Sequence, residues 1–413
     1  VLKAVRPALL CCLIAAPAIV LRLLGVELPA PVSLLIFGGA VVAASFMLAW
    51  AAEAAEFDIS GGLAIAILAV IVVLPEYAVD LYFAYSAGSN PAHVAYAAAN
   101  MTGSNRLLLG VGWALVVIVA LAITSKRTGR TVRAVVLESG NRIELGFLAI
   151  ASLVSFVIPI TGQIHILLGL GLLAIFAFYL VRAATSDGGE EPDLIGPAAR
   201  IGHLPAARRR ATVIGLFAVA AAVILLCAEP FANALVASGR ILGVDQFLLV
   251  QWLAPLASEA PELIVAVIFA VQGKAAGAIG MLISAKVNQW TMLVGSLPIA
   301  YLIGGGGSSL PMDGRQTEEF ILTAAQTLLG IAVLLKLRFP RWLAWTLLGL
   351  FVCQFVIPGT TGRLILSAVF GVLAVGALIV NRREILPTLL APFRRQQTVV
   401  AKDEQRELAA AGR

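Results

Sequence analysis

The chain has 413 residues, of which 60% are hydrophobic and 13% charged, with a mean hydropathy of +0.98. That balance lies far outside the range of soluble domains and describes an integral membrane protein set in a lipid bilayer. The net charge of +6 is collected in short loops between apolar runs, so it speaks for membrane topology and against a nucleic-acid partner. Cys11, Cys12, Cys227 and Cys353 all fall inside apolar runs without CxxC spacing, which indicates neither a disulfide framework nor a zinc site.

Crossing roughly 30 Å of hydrocarbon takes about 20 residues. Twelve such windows occur, at 7–26, 31–52, 61–86, 96–124, 145–160, 163–183, 211–237, 245–272, 275–303, 319–337, 340–357 and 363–381. The expected fold is an all-α polytopic membrane protein of about twelve transmembrane helices. The first window also has the basic start and short apolar core of a signal peptide, which leaves its retention open. The fourth is expected to bend near Gly103. With a cytoplasmic N-terminus, the inner loops hold Lys126, Arg127, Arg130, Arg133, Arg208, Arg209, Arg210, Lys336, Arg338, Arg341 and the tail from Arg382. The outer loops keep only Arg22, Arg240, Arg315 and Arg363. This asymmetry places both termini inside, as expected for a plasma (inner) membrane protein. A polar stretch at 186–210, rich in charge, Gly and Pro, reads as a cytoplasmic linker dividing the chain, and 382–413 as a solvated, partly helical tail.

The two halves share a pattern. In the third window "LPEYAVDLYFA" (74–84) aligns with "APELIVAVIFA" (260–270) of the eighth, matching Pro75 with Pro261 and Glu76 with Glu262. Further on, "NRLLLGVG" (105–112) aligns with "NQWTMLVG" (288–295), matching Asn105 with Asn288. Counting spans, the third and eighth windows run in opposite senses, so the repeat is inverted. Such repeats bring interrupted helices together at the bilayer midplane, where transporters bind their substrates.

Carboxylates at that depth are expensive and mark ion pathways. Glu76 and Asp80, four apart, and Glu259 and Glu262, three apart, each share a helical face. Up to four carboxylates are therefore expected to converge on one cavity. Pro75 and Pro261 break the helices beside them and release backbone carbonyls. Hard oxygen ligands of this kind suit calcium or sodium, with Glu76 and Glu262 as the leading metal ligands.

The stretches "PEYAVDLYFA…NMTGSN" and "SEAPELIVAVIFA…SAKVNQW" resemble the two alpha repeats of the calcium:cation antiporter superfamily, the sodium/calcium exchangers and their relatives. The resemblance covers about 61–115 and 245–300. It implies ten helices in two inverted sets of five, with the first and twelfth windows as additions. The implied divisions are an extra N-terminal helix (1–30), a first exchanger region (31–185), the linker, a second exchanger region (211–360), an extra C-terminal helix (361–381) and the tail. The family's ion-ligating glutamates carry over to Glu76 and Glu262, its Gly-Ser-Asn motif to Gly103, Ser104 and Asn105, and its second asparagine to Asn288. The chain departs from the pattern in several places. Val72 and Val73 precede the first Pro-Glu pair and Ser258 and Glu259 the second; Leu108 and Thr291 occupy the next ligand position; Lys286 replaces a glycine.

Plainer roles exist for some of these residues. Glu259 can snorkel towards headgroups, Asp80 can pair with Arg106 or Lys286, and Asn105 and Asn288 can serve as interhelical hydrogen-bond glue. Lys286 reads either as a structural ion pair with Asp80 or Glu259 or as a charge surrogate filling one cation subsite. Enzyme classes fit poorly: three scattered histidines supply no HExxH set, no base accompanies Ser104, and no phosphate loop is present. The expected protein is a secondary antiporter without a cofactor. It would exchange calcium or a related divalent cation for sodium or protons around a carboxylate site that also includes Ser258, Ser104, Asn105, Asn288 and Thr291. A passive cation channel and a non-transporting membrane scaffold are the alternatives; the oligomeric state is left open.

Overall fold

The computed structural model describes residues 2–58, 70–71, 73–184, 194, 196–357 and 359–394. Most of the expected helix at 61–86 before Ile71, Val72, the start of the linker and the tail beyond Arg394 lie outside the described residues. The helices, in chain order, begin with α1 (Leu2–Leu24), α2 (Ala30–Ala55), α3 (Leu74–Ala87), α4 (Pro91–Thr128), α5 (Asn141–Thr161) and α6 (Ile166–Ala184). They continue with α7 (Gly196–Gly202), α8 (Ala206–Leu242), α9 (Gln246–Gln272), α10 (275–303), α11 (Gly314–Leu334), α12 (Arg341–Val356), α13 (Gly359–Val380) and α14 (Arg382–Leu390).

Hydrocarbon cannot satisfy backbone donors and acceptors, so apolar runs of this length close their hydrogen bonds internally as helices. Nine of these helices are long and apolar enough to cross a membrane: α1, α2, α4, α5, α6, α8, α9, α11 and α13. The other three expected spans correspond to α3, to α10, which runs through a π turn, and to the shorter apolar α12. The ends carry local signals. Asp245 caps α9 by accepting from Phe247 N at 2.8 Å, and Asp313 caps α11 by accepting from Gln316 N at 2.9 Å. Gly243 and Gly273, at φ 67° and 93°, end α8 and α9 in the left-handed conformation that glycine adopts freely.

Four three-residue strands carry the inverted symmetry. β1 (Ala134–Val136) follows α4, β2 (Gln163–His165) follows α5, β3 (Ser309–Pro311) follows α10 and β4 (Arg338–Pro340) follows α11. β1 pairs antiparallel with β4, and β2 with β3. Exchanging the two repeats converts one pair into the other. Paired strands must also lie on one side of the membrane. Six spans separate β1 from β4 and four separate β2 from β3, so the even counts agree with the window count made from sequence.

Three expectations change. The irregularity in α4 is a π turn at Leu108–Trp113, not a bend at Gly103, and α10 has its counterpart at Gln289–Leu293. Gly103 instead lies where α9 crosses: a Cβ there would meet Gln251 O at 1.7 Å. The expected linker is partly helical, because α7 buries Ala198 and Ile201 and α8 already begins at Ala206. Arg209 grips both carboxylate oxygens of Asp58 at 2.7 Å, and Arg210 adds a contact at 2.9 Å, tying the start of α8 to the end of α2. These arginines hold the Asp58 carboxyl down to about 2. Because the folded value is depressed, the link contributes fully above the ordinary carboxylate range and is lost as pH falls through about 2. The start of the tail is docked rather than solvated, since Arg142 of α5 bonds Glu384 at 2.8 Å and Thr388 at 3.1 Å.

The packing core is the pair α2 and α8, and the buried Ala40, Ala44, Ala51, Ala220 and Ala232 are small enough for helix backbones to approach closely. α4 crosses α9 in the same manner, and α3 lies against α10. These crossings hold the two Pro-Glu segments near each other. In a chain stripped of its native cysteines, Val136→Cys and Arg338→Cys should react with an impermeant thiol reagent from one side of a sealed vesicle. Thr161→Cys and Ser308→Cys should react only from the other, and any other partition would break the inverted arrangement.

Candidate cation site

A small cavity of about 20 Å³ lies between α2, α3 and α9. It is lined by Ser45 and Ala49, by Val73, Pro75 and Glu76, and by Ser258, Glu259, Pro261 and Glu262. A water needs about 10–15 Å³ on this measure, so the space suits one water or one bare ion, not a hydrated one. Pro75 stands in the first turn of α3, where a missing N–H costs nothing. Pro261 does lie within a helix, α9, which also contains Pro255.

Glu76 and Glu259 are buried and come from opposite repeats. One amide joins them: Gln289 Nε2, in the π turn of α10, donates to Glu76 Oε1 at 3.1 Å and to Glu259 Oε1 at 2.7 Å. Ser104 Oγ is buried beside the two carboxylates without hydrogen-bond geometry to either. Ser258 turns its hydroxyl back to Ala254 O at 3.2 Å. In this arrangement, with the amide between the carboxylates, the described residues contain no group of three or more His, Cys, Asp or Glu side chains placed to hold a metal ion together.

The remaining expected residues occupy other places. Asp80 is fully buried one turn beyond Glu76, away from the cavity, so three of the four expected carboxylates line it. Its Oδ1 accepts from Asn100 Nδ2 at 2.7 Å, and it pairs with neither Arg106 nor Lys286. Arg106 turns instead to Glu319 of α11 at 2.5 Å, with its guanidinium 5.0 Å from the Trp252 ring, while Arg363 of α13 bonds the other oxygen of Glu319. Lys286 forms no ion pair with Asp80 or Glu259. Its Nζ donates to Asn105 O at 2.8 Å and to Asn105 Oδ1 at 3.1 Å, so a fully buried ammonium is held by two neutral oxygens. Asn288 Oδ1 accepts from Tyr77 at 2.8 Å, and Thr291 bonds back to Val287 O at 2.6 Å.

Sequence reasoning missed Gln289, Ser45, Tyr77, Asn100 and Glu319. Gln289 was the most legible of these, a second amide directly after Asn288 in an apolar run. Ser45 carried no signal, because nothing in α2 marks which of its faces meets the Pro-Glu segments.

The sodium/calcium exchanger protein family model matches residues 29–184 and 212–358. The chain therefore belongs to the sodium/calcium exchanger family, a family of secondary cation antiporters. It is similar to the crystal structure of the H+/Ca2+ exchanger CAX, at 40% identity over 95% of this chain and 98% of that one, with a TM-score of 0.88. Two structures of YfkE share the fold, each covering 88% of this chain and 99% of the other. The native form is 16% identical with a TM-score of 0.60. The selenium-substituted form, described as a Ca2+/H+ antiporter protein, is 17% identical with a TM-score of 0.58. No curated protein matches the chain.

The close approach at Gly103 yields a direct test. Gly103→Ala forces α4 and α9 apart, at a cost of about 3 kcal/mol, the upper end of the usual overpacking penalty. Thermal unfolding of the purified protein followed by size-exclusion chromatography should show a clear loss of stability. Unchanged behaviour would mean that the two helices do not cross there.

Proposed function

We propose that this antiporter exchanges a divalent cation, calcium, for protons, with alternating access around the cavity between α3 and α9. The observation that carries the reading is the convergence of Glu76 and Glu259, from opposite repeats, and Glu262 on a water-sized space. Carboxylate oxygens are calcium's preferred ligands, and the same oxygens are the natural acceptors for protons. Either cargo excludes the other, and that competition couples their movements. The 40% identity to a protein described as an H+/Ca2+ exchanger supports protons over sodium as the counter-ion. In this reading the Gln289 amide gives way when a cation enters, letting Glu76, Glu259, Glu262, Ser258 and Ser104 close around it. Asp80, Asn105, Asn288 and Thr291 support the site from the next turn. In the same reading the basic loops face the cytoplasm of a plasma membrane, with both termini on that side.

Calcium isotope uptake into proteoliposomes tests the reading. Uptake should follow an imposed acid-inside pH gradient and remain at background with a sodium gradient alone. Sodium-driven uptake would replace the proton assignment, uptake driven by membrane potential alone would indicate a channel, and none under any gradient a scaffold. Glu76→Gln and Glu262→Gln remove one charge each with little change of shape and should reduce exchange to background in a protein that still inserts. Near-normal exchange in both would refute the site.

Lys286 fits a charge that occupies one cation position permanently, because its ammonium rests on two oxygens of Asn105 rather than on a carboxylate. Lys286→Ala should then change the number of counter-ions moved per calcium, or the dependence on pH or membrane potential, and not the rate alone. Unaltered coupling in that variant would make the lysine structural.

A further inference from the structure

α13 packs along α11 but barely touches α12, although α12 precedes it directly in the chain. The separation leaves a cavity of about 720 Å³ at the end of the molecule that carries β1 and β4. Its walls are apolar, formed by Val333 of α11, Leu343 of α12 and Leu373 of α13, and the small Gly376 and Ala377 widen it. Val372 and Val380, at its margin, are 73% and 72% exposed, so the groove opens sideways into the hydrocarbon layer.

The mouth differs in chemistry from the walls. Arg133, Lys336 and Arg338 all border the cavity and are exposed. None forms an ion pair with a described residue. Elsewhere Arg142 and Arg209 each have a carboxylate partner. Lys126, Arg127 and Arg130 on the same side also lack an ion pair with a described residue; what sets Arg133, Lys336 and Arg338 apart is that all three border one apolar groove. Trp342, 66% exposed, lies at the same mouth, at the level where indole rings prefer the headgroup boundary.

We propose that this groove holds one anionic phospholipid, with an acyl chain between α11, α12 and α13 and its phosphate among Arg133, Lys336 and Arg338. Apolar walls open to the bilayer accept the chain, and basic side chains at the mouth favour an anionic headgroup over a zwitterionic one. The site is separate from the carboxylate cavity and shares no residue with it.

Native mass spectrometry of the purified full chain, offered equal amounts of dioleoyl phosphatidylglycerol and dioleoyl phosphatidylcholine, tests the proposal. The protein should retain the anionic phosphatidylglycerol preferentially. Arg133→Gln, Lys336→Gln and Arg338→Gln should each reduce that preference by about fivefold, and these exposed positions leave the fold undisturbed. Ala377→Trp, which fills the groove, should lower retention of both lipids. Equal retention of the two lipids by the unmodified protein, or an unchanged preference in the triple Gln variant, would overturn the proposal. Retention of inorganic phosphate by a protein that retains neither lipid would also overturn it, because the mouth would then bind phosphate without the chain.

Discussion

The structure is governed by the cost of placing carboxylates where hydrocarbon cannot solvate them. Glu76, Glu259 and Glu262 lie deep among apolar helices, so each needs a polar partner or a cavity. Bringing them together requires α9 to pass α4 with backbones touching at Gly103, and α2 to offer Ser45 and Ala49 in place of bulky side chains. Gln289 then reaches both Glu76 and Glu259 because the π turn carries it to that face. The alanine-rich contact of α2 with α8 is part of the same arrangement, since only small side chains allow helices to close around so small a space.

The two repeats match in backbone but differ in charge. Both have a π turn in the helix that follows the Pro-Glu segment, and both have a glutamate near the start of the next long helix. In the second repeat that residue is Glu319, shared between Arg106 and Arg363. In the first it is Glu144, held by Ser284 at 2.9 Å and Asn141 at 3.0 Å, with Tyr179 bonding Ser284. α4, α11 and α13 are thus joined through ion pairs on one carboxylate, and α5, α6 and α10 through hydrogen bonds to the other.

Much of this was legible before any coordinates. The apolar windows gave the spans, the aligned Pro-Glu segments gave the inversion, and Glu76, Glu259, Glu262 and Ser258 were named from spacing or resemblance. Asp80 shows why spacing was insufficient. Its position four residues after Glu76 places it on the same helical face, yet one turn separates it from the cavity and Asn100 holds it there. Arg106 shows the same limit from the other side, since its partner lies more than two hundred residues away, in α11.

What the sequence determined by itself was the class of solvent, the helical character of the apolar runs and the likeness of the two Pro-Glu segments. Those follow from composition, length and repetition along one chain, each a local property. Which side chains meet was decided only by the tertiary structure. The π turns rotate the later part of α4 and α10 out of the register that simple helical counting assumes, and Gln289, which opens the second of them, meets both carboxylates, while the packing of α10 on α4 sets Lys286 on Asn105. Such rotations depend on how helices distant in sequence pack against one another, and no local pattern encodes them.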